Sequence, residues 1–158
     1  MNNDINSRKV VDKYGFQLDE ITKEFGIYDT FFISLVYSNL KTNELVVIIA
    51  PFKRHNLFRN IRKFKEIQQG VKNKNIIETL AYLINETEET NMDILKLMID
   101  RIPSRLLVNE EIINNEFIAT IKEKHPEYIK EFIERIKYNR KYILEHTNYR
   151  QKQEYIKS

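Results

Sequence analysis

The chain contains no cysteine, and histidine, glycine and proline occur only three times each. Without cysteine the protein can form no disulfide, no thiolate metal site and no cysteine nucleophile, as is usual in a reducing compartment. The histidines, His55, His125 and His146, match no metal-binding spacing, and the isolated glycines form no phosphate-cradling loop. We therefore expect no metal ion, no cofactor and no catalytic residues, so that the protein is not an enzyme.

Long apolar runs are missing as well. The longest, Leu45 to Phe52, is far shorter than the roughly 20 residues of a membrane-spanning helix, and the N-terminus lacks the apolar core of a secretory leader. With 158 residues, 42% hydrophobic and 31% charged, the chain has the size and composition of one globular domain. We expect a single cytoplasmic domain over residues 1–158 without a membrane partner, with residues 1–8 loose and residues 148–158 forming a solvated helix end or tail.

Two apolar segments predict a β-hairpin. Residues 30–38 (TFFISLVYS) and 45–52 (LVVIIAPF) are rich in β-branched and aromatic side chains and flank a short polar loop. Both segments are apolar on both faces, so we expect helices to cover the strands on two sides. Before them, apolar residues recur with near-helical spacing and predict a short helix that ends at Gly26, while residues 8–12 are a candidate third strand.

From Asn56 onwards the hydrophobic period becomes helical. A first helix is predicted to end near Gly70, with Leu57, Phe58, Ile61, Phe64 and Ile67 on its apolar face. Further helices should follow Asn75, Asn91 and Asn109, and the last should restart at Pro126. The predicted fold class is α+β, an N-terminal antiparallel β-hairpin packed against a mainly α-helical C-terminal two-thirds.

Charge is strongly segregated along the chain. Residues 53–75 contain eight basic side chains and one acidic side chain. The basic ones are Lys53, Arg54, Arg59, Arg62, Lys63, Lys65, Lys72 and Lys74. On the predicted helix, Arg59, Arg62 and Lys63 are three and four residues apart, on a face away from Leu57, Ile61 and Phe64. Clustered cations on one helix face are typical of phosphate binding and predict contact with nucleic acid. The alternative is that they pair with the acidic segment 76–123 or are simply solvated.

Two further surfaces are candidates for binding. Arg140, Lys141 and Tyr142 belong to a C-terminal region in which bases alternate with tyrosines, a composition that suits single strands or RNA loops. The alternative is that Tyr138 and Tyr142 pack one turn apart on a helix surface. A cluster of acidic residues could instead bind a protein partner. It consists of Glu86, Glu88, Glu89 and Asp93. The alternative for Asp93 is that it stabilises the start of a helix through the helix dipole.

Nuclease and helix-turn-helix motifs were compared with the sequence. Residues 26–28 read Gly-Ile-Tyr, but the second strand has no Tyr-Ile-Gly counterpart, and Glu44 has no lysine two positions later. The helices expected after Asn91 and Asn109 are closely spaced, but the second begins with acidic residues that phosphates would repel. Neither motif therefore predicts a function.

Three functional hypotheses follow. The first is a non-catalytic regulatory or accessory protein that binds nucleic acid through the basic helix. The second is a protein-binding inhibitor or adaptor of the phage- or plasmid-encoded type, in keeping with an Ile-, Lys- and Asn-rich composition typical of low-GC genomes. The third is a diverged metal-dependent nuclease that would use Asp29 and Glu44.

Overall fold

The computed structural model describes residues 9–26, 30–54, 56–87, 92–107 and 116–146. The chain forms two compact units, residues 1–89 and 90–158. The described residues have the predicted α+β architecture, in which an N-terminal antiparallel sheet is followed by helices. Every described helix is too short or too polar to cross a lipid bilayer.

The first unit contains an antiparallel sheet and two helices. Strands β1 (Gln17–Phe25), β2 (Thr30–Asn39) and β3 (Glu44–Lys53) lie in the order β1-β2-β3. The predicted hairpin is confirmed, because β2 pairs with β3 from Thr30↔Lys53 to Asn39↔Glu44. Helices α1 (Leu57–Gly70) and α2 (Ile76–Glu86) follow, as the helical periodicity predicts.

The predicted short helix before Gly26 is wrong, since these residues form β1. A β-bulge interrupts the pairing between Leu18 and Glu20, so Leu18 pairs with Tyr37 and Ile21 pairs with Leu35. The extra residue of a bulge places side chains three positions apart on the same face of the sheet. This spacing imitates a helical turn. The third strand of the sheet is therefore β1; of the candidate segment 8–12, residue 8 lies outside the described residues, and Val11 forms an isolated bridge to Gln17.

One face of the sheet carries the core of the first unit. Phe31, Ile33 and Leu35 of β2 are buried, whereas the alternate residues of the strand are only half-buried. On the buried side, the Tyr37 hydroxyl donates to Thr79 Oγ1 of α2 at 3.0 Å, and burial raises the pKa of Tyr37 to about 12. The prediction was that both faces of the hairpin strands are covered. One face of β2 is buried, and the other is only half-buried.

The start of α2 is fixed by two side chains. Asn75 accepts from the Glu78 amide at 2.8 Å while Glu78 Oε1 accepts from the Asn75 amide at 2.9 Å, which is a capping box. Asp12 adds a longer-range tie, because its carboxylate accepts from the amides of Tyr14, Phe16 and Ile76. The N-terminal turn is thus joined to the beginning of α2.

The second unit is helical in its described residues. It contains α3 (Met92–Asp100), α4 (Ser104–Leu107), α5 (Glu116–Lys124) and α6 (Pro126–His146). The predicted restart at Pro126 is confirmed, whereas the predicted starts at Asn91 and Asn109 lie outside the described residues. The rings of Phe117 and Tyr128 both pack against Phe132 in the core. Arg135 donates to the Tyr128 hydroxyl at 2.9 Å and to Asp100 Oδ1 at 2.7 Å.

Candidate functional site

Helix α1 begins with an N-cap and turns an unexpected face to solvent. Asn56 caps the helix by accepting from the Arg59 amide at 3.0 Å. Within α1 only Asn60 and Ile67 are buried, while Leu57 is 62% exposed and Phe58 is 78% exposed. Of the five residues predicted to mark the apolar face of this helix, Ile67 is buried, whereas Leu57, Phe58 and Ile61 are exposed.

The inner face of α1 combines the buried Asn60 and Ile67 with the amphipathic side chain of Lys63. The Lys63 ammonium lies 5.7 Å from the ring centroid of Phe52, a buried residue of β3. The Lys23 ammonium lies 5.6 Å from the ring centroid of Phe64. Long cationic side chains can cover apolar rings with their aliphatic stems while the charge stays hydrated. Hydrophobic spacing alone does not reveal such packing.

In this orientation of α1, the cations of the predicted basic face do not all point to solvent. Lys63 turns inward and pairs with Glu66 Oε2 at 3.6 Å and with Glu86 Oε1 at 3.9 Å. Arg59, Arg62 and Lys65 are exposed. These three form no ion pair with another described residue. The structure therefore removes Lys63 from the predicted cationic face.

The remaining cations of residues 53–75 lie elsewhere in the first unit. Lys53 and Arg54 are exposed at the end of β3, and the Arg54 guanidinium lies 5.1 Å from the ring centroid of Phe25. Lys72 and Lys74 follow α1 and line a second cavity of about 510 Å³. The predicted set of eight is thus distributed over several parts of the surface.

A shallow groove of about 870 Å³ lies between α1 and α2. On α1 it is lined by Phe58, Arg62, Lys65 and Gln69, which recur at helical spacing along one stripe. The opposite wall includes Tyr82 and Glu86 of α2, and Glu66 of α1 also lines the groove. The groove therefore combines an exposed ring, two cations and an amide along one helix face with two carboxylates, both of which pair with Lys63.

Tyr82 is held in place at the end of this groove. Its hydroxyl donates to the Glu66 carbonyl at 3.4 Å, and the Lys74 ammonium lies 4.9 Å from its ring centroid. Its ring also lies against Gly70, where an added Cβ would come within 2.6 Å of Cε2 and closer still to the hydroxyl. Burial raises the pKa of Tyr82, and Glu86 and Glu66 raise it further.

The acidic candidate surface is only partly described. Glu86 lies in α2 and contributes to the Lys63 ion pairs, while Asp93 is exposed in the first turn of α3. Glu88 and Glu89 lie outside the described residues. The predicted acidic surface therefore stays a prediction.

The C-terminal candidate surface is similarly incomplete. Residues 140–142 lie within α6, and Lys141 is exposed, but the side chains of Arg140 and Tyr142 lie outside the described residues. Tyr138, four positions before Tyr142, is 69% exposed. The predicted role of this region in binding stays a prediction.

The residues considered for catalysis are not brought together in the described part of the chain. Glu44 stands at the start of β3, where it accepts from Thr42 Oγ1 at 2.6 Å, and Asp29 lies outside the described residues. Among the described residues, no group of three or more histidine, aspartate or glutamate side chains is arranged to hold a metal ion. His125 is buried with its Nδ1 3.1 Å from Glu127 Oε1.

Comparison of the chain with protein-family models, with curated proteins and with solved structures gave no match.

Proposed function

We propose that this protein binds nucleic acid through the outer face of α1, as a non-catalytic regulatory or accessory protein. The observation that carries the proposal is the exposure of Arg59, Arg62 and Lys65 without an acidic partner among the described residues. Lys63, by contrast, is neutralised by Glu66 and Glu86. Three cations thus remain available to phosphates on one side of a short helix.

The mechanism is phosphate neutralisation with little reading of base identity. Each phosphate contact by an arginine or lysine releases condensed counterions, so the affinity falls as salt is added. Three such contacts correspond to a slope of log K against log salt of about −2 for single strands and about −3 for duplex DNA. Phosphate contacts position a protein on nucleic acid but carry no sequence information.

The test is fluorescence-anisotropy binding to labelled DNA and RNA at several salt concentrations. We expect the triple variant Arg59→Glu, Arg62→Glu and Lys65→Glu to lose more than about tenfold in affinity together with most of the salt dependence. The matched control changes Lys41, Lys122 and Lys130 to Glu, since these exposed lysines lie outside the groove and give the same change in net charge. Full binding by a folded triple variant would refute the proposal.

A second candidate function, binding to a protein, is favoured by the exposed apolar side chains of α1. Leu57 and Phe58 are exposed beside Arg59 and Arg62, and aromatic residues and arginine are enriched at protein interfaces. This function predicts that a stoichiometric protein remains bound after nuclease treatment. Its loss in a Leu57→Ser, Phe58→Ser variant would assign it to α1.

A further inference from the structure

An exposed phenyl ring stands among the cations of α1. Phe58 is 78% exposed, Arg59 is its neighbour, and Arg62 and Lys65 follow it by four and seven positions. Side chains at these intervals lie along one face of a helix. A ring in this setting offers an apolar flat surface within reach of groups that bind phosphate.

The two aromatic rings that line the groove differ in availability. The ring of Tyr82 already packs against Gly70 and has the Lys74 ammonium near its centroid. Its hydroxyl is also bonded to the Glu66 carbonyl. Phe58 is far more exposed, so of the two rings it is the one that can receive a flat ligand without rearrangement.

We infer that this face of α1 prefers single-stranded nucleic acid, with Phe58 stacking on an unpaired base while Arg62 and Lys65 contact the flanking phosphates. The inference rests on the proposed function and adds the class of nucleic acid to it. In a duplex the base faces are covered by neighbouring base pairs, so only the phosphates can contribute. A single strand offers both its phosphates and its base faces, and stacking on aromatic side chains tolerates any sequence.

The experiment compares labelled 12-nucleotide single strands of DNA and RNA with the corresponding DNA duplex, using wild type and three variants at one salt concentration. Phe58→Ala removes the ring, Phe58→Tyr retains a ring at the same position, and Leu57→Ala removes a neighbouring exposed side chain that is not aromatic. Because Phe58 and Leu57 are both mostly exposed, the thermal unfolding of all three variants should match that of wild type.

We expect Phe58→Ala to weaken single-strand binding by about five- to 150-fold, the range found when one stacking partner is removed. Duplex binding should change less than about twofold, and Phe58→Tyr and Leu57→Ala should both bind single strands like wild type. Equal affinity for single strands and duplex, with no specific effect of Phe58→Ala, would overturn the inference and leave the proposed function standing. Binding that also survives the triple charge reversal, or no binding by wild type at low salt, would overturn both.

Discussion

The effect of Gly70→Ala on the free energy of unfolding should depend on whether the Tyr82 ring is present. In wild type, the added Cβ would come within 2.6 Å of Tyr82 Cε2 and closer still to the hydroxyl. Forcing extra atoms into such a contact costs about 1–3 kcal/mol. Gly70 is also the last residue of α1, where alanine gains at most about 1 kcal/mol of helix propensity, because the full gain applies to a helix interior. The substitution should therefore destabilise wild type by up to about 3 kcal/mol.

In a Tyr82→Ala background the obstructing ring is gone, and only the propensity gain remains. There, Gly70→Ala should stabilise the protein by up to about 1 kcal/mol, and the coupling energy between the two positions should be about 1–3 kcal/mol, the cost of the contact itself. Urea unfolding of wild type, the two single variants and the double variant, followed by circular dichroism, measures this cycle. The same free-energy change for Gly70→Ala in both backgrounds would show that the Tyr82 ring does not lie against Gly70.

Two further predictions concern the first unit. Asp12→Ala should lower the free energy of unfolding by about 2–3 kcal/mol, because the substitution removes the carboxylate that accepts from the amides of Tyr14, Phe16 and Ile76. Urea unfolding measures this loss, and a value below about 0.5 kcal/mol would contradict the prediction. Burial raises the pKa of Tyr37 to about 12, whereas tyrosine in an unfolded chain ionises near a pKa of about 10. The unfolded state therefore releases this proton first, so the stability contributed by neutral Tyr37 is complete below about pH 10 and is lost as the pH rises through about 12. Across this window wild type should lose roughly 3 kcal/mol more unfolding free energy than Tyr37→Phe. Parallel stability profiles of the two proteins in urea titrations at alkaline pH would contradict burial of Tyr37 as the cause.

The sequence predicts correctly those elements whose signals are local. The β2–β3 hairpin follows from two runs of β-branched and aromatic residues, and the start of α2 follows from Asn75 before a periodic apolar segment. Strand β1 was not predictable in this way. Because of the bulge between Leu18 and Glu20, side chains on one face of β1 are three residues apart at this point and not two. A bulge forms through pairing with β2, so the sequence of β1 alone does not reveal it.

The candidate site shows a different limit. Residue spacing correctly places Arg59 and Arg62 near one another on a helix, but it assigns the apolar residues of α1 to the core. The orientation of α1 depends on tertiary contacts, namely Asn60 in a buried position and Lys63 above the ring of Phe52. A hydrophobic period cannot identify an asparagine and a lysine as inward-facing residues. The exposure of Phe58 was therefore missed.

This orientation also bears on the question that the charge distribution leaves open, whether the basic and acidic segments neutralise each other. Lys63 is the residue of the α1 cluster that reaches Glu86 of α2. The same rotation that turns Lys63 inward turns Arg59, Arg62 and Lys65 outward together with Phe58. Surface ion pairs contribute little to stability, so pairing the outer cations with nearby carboxylates would add little to the free energy of unfolding. In their present position these cations are available to a polyanion. Within the described residues of the first unit, pairing with carboxylates therefore involves Lys63 and leaves Arg59, Arg62 and Lys65 as the cations that the binding experiments address.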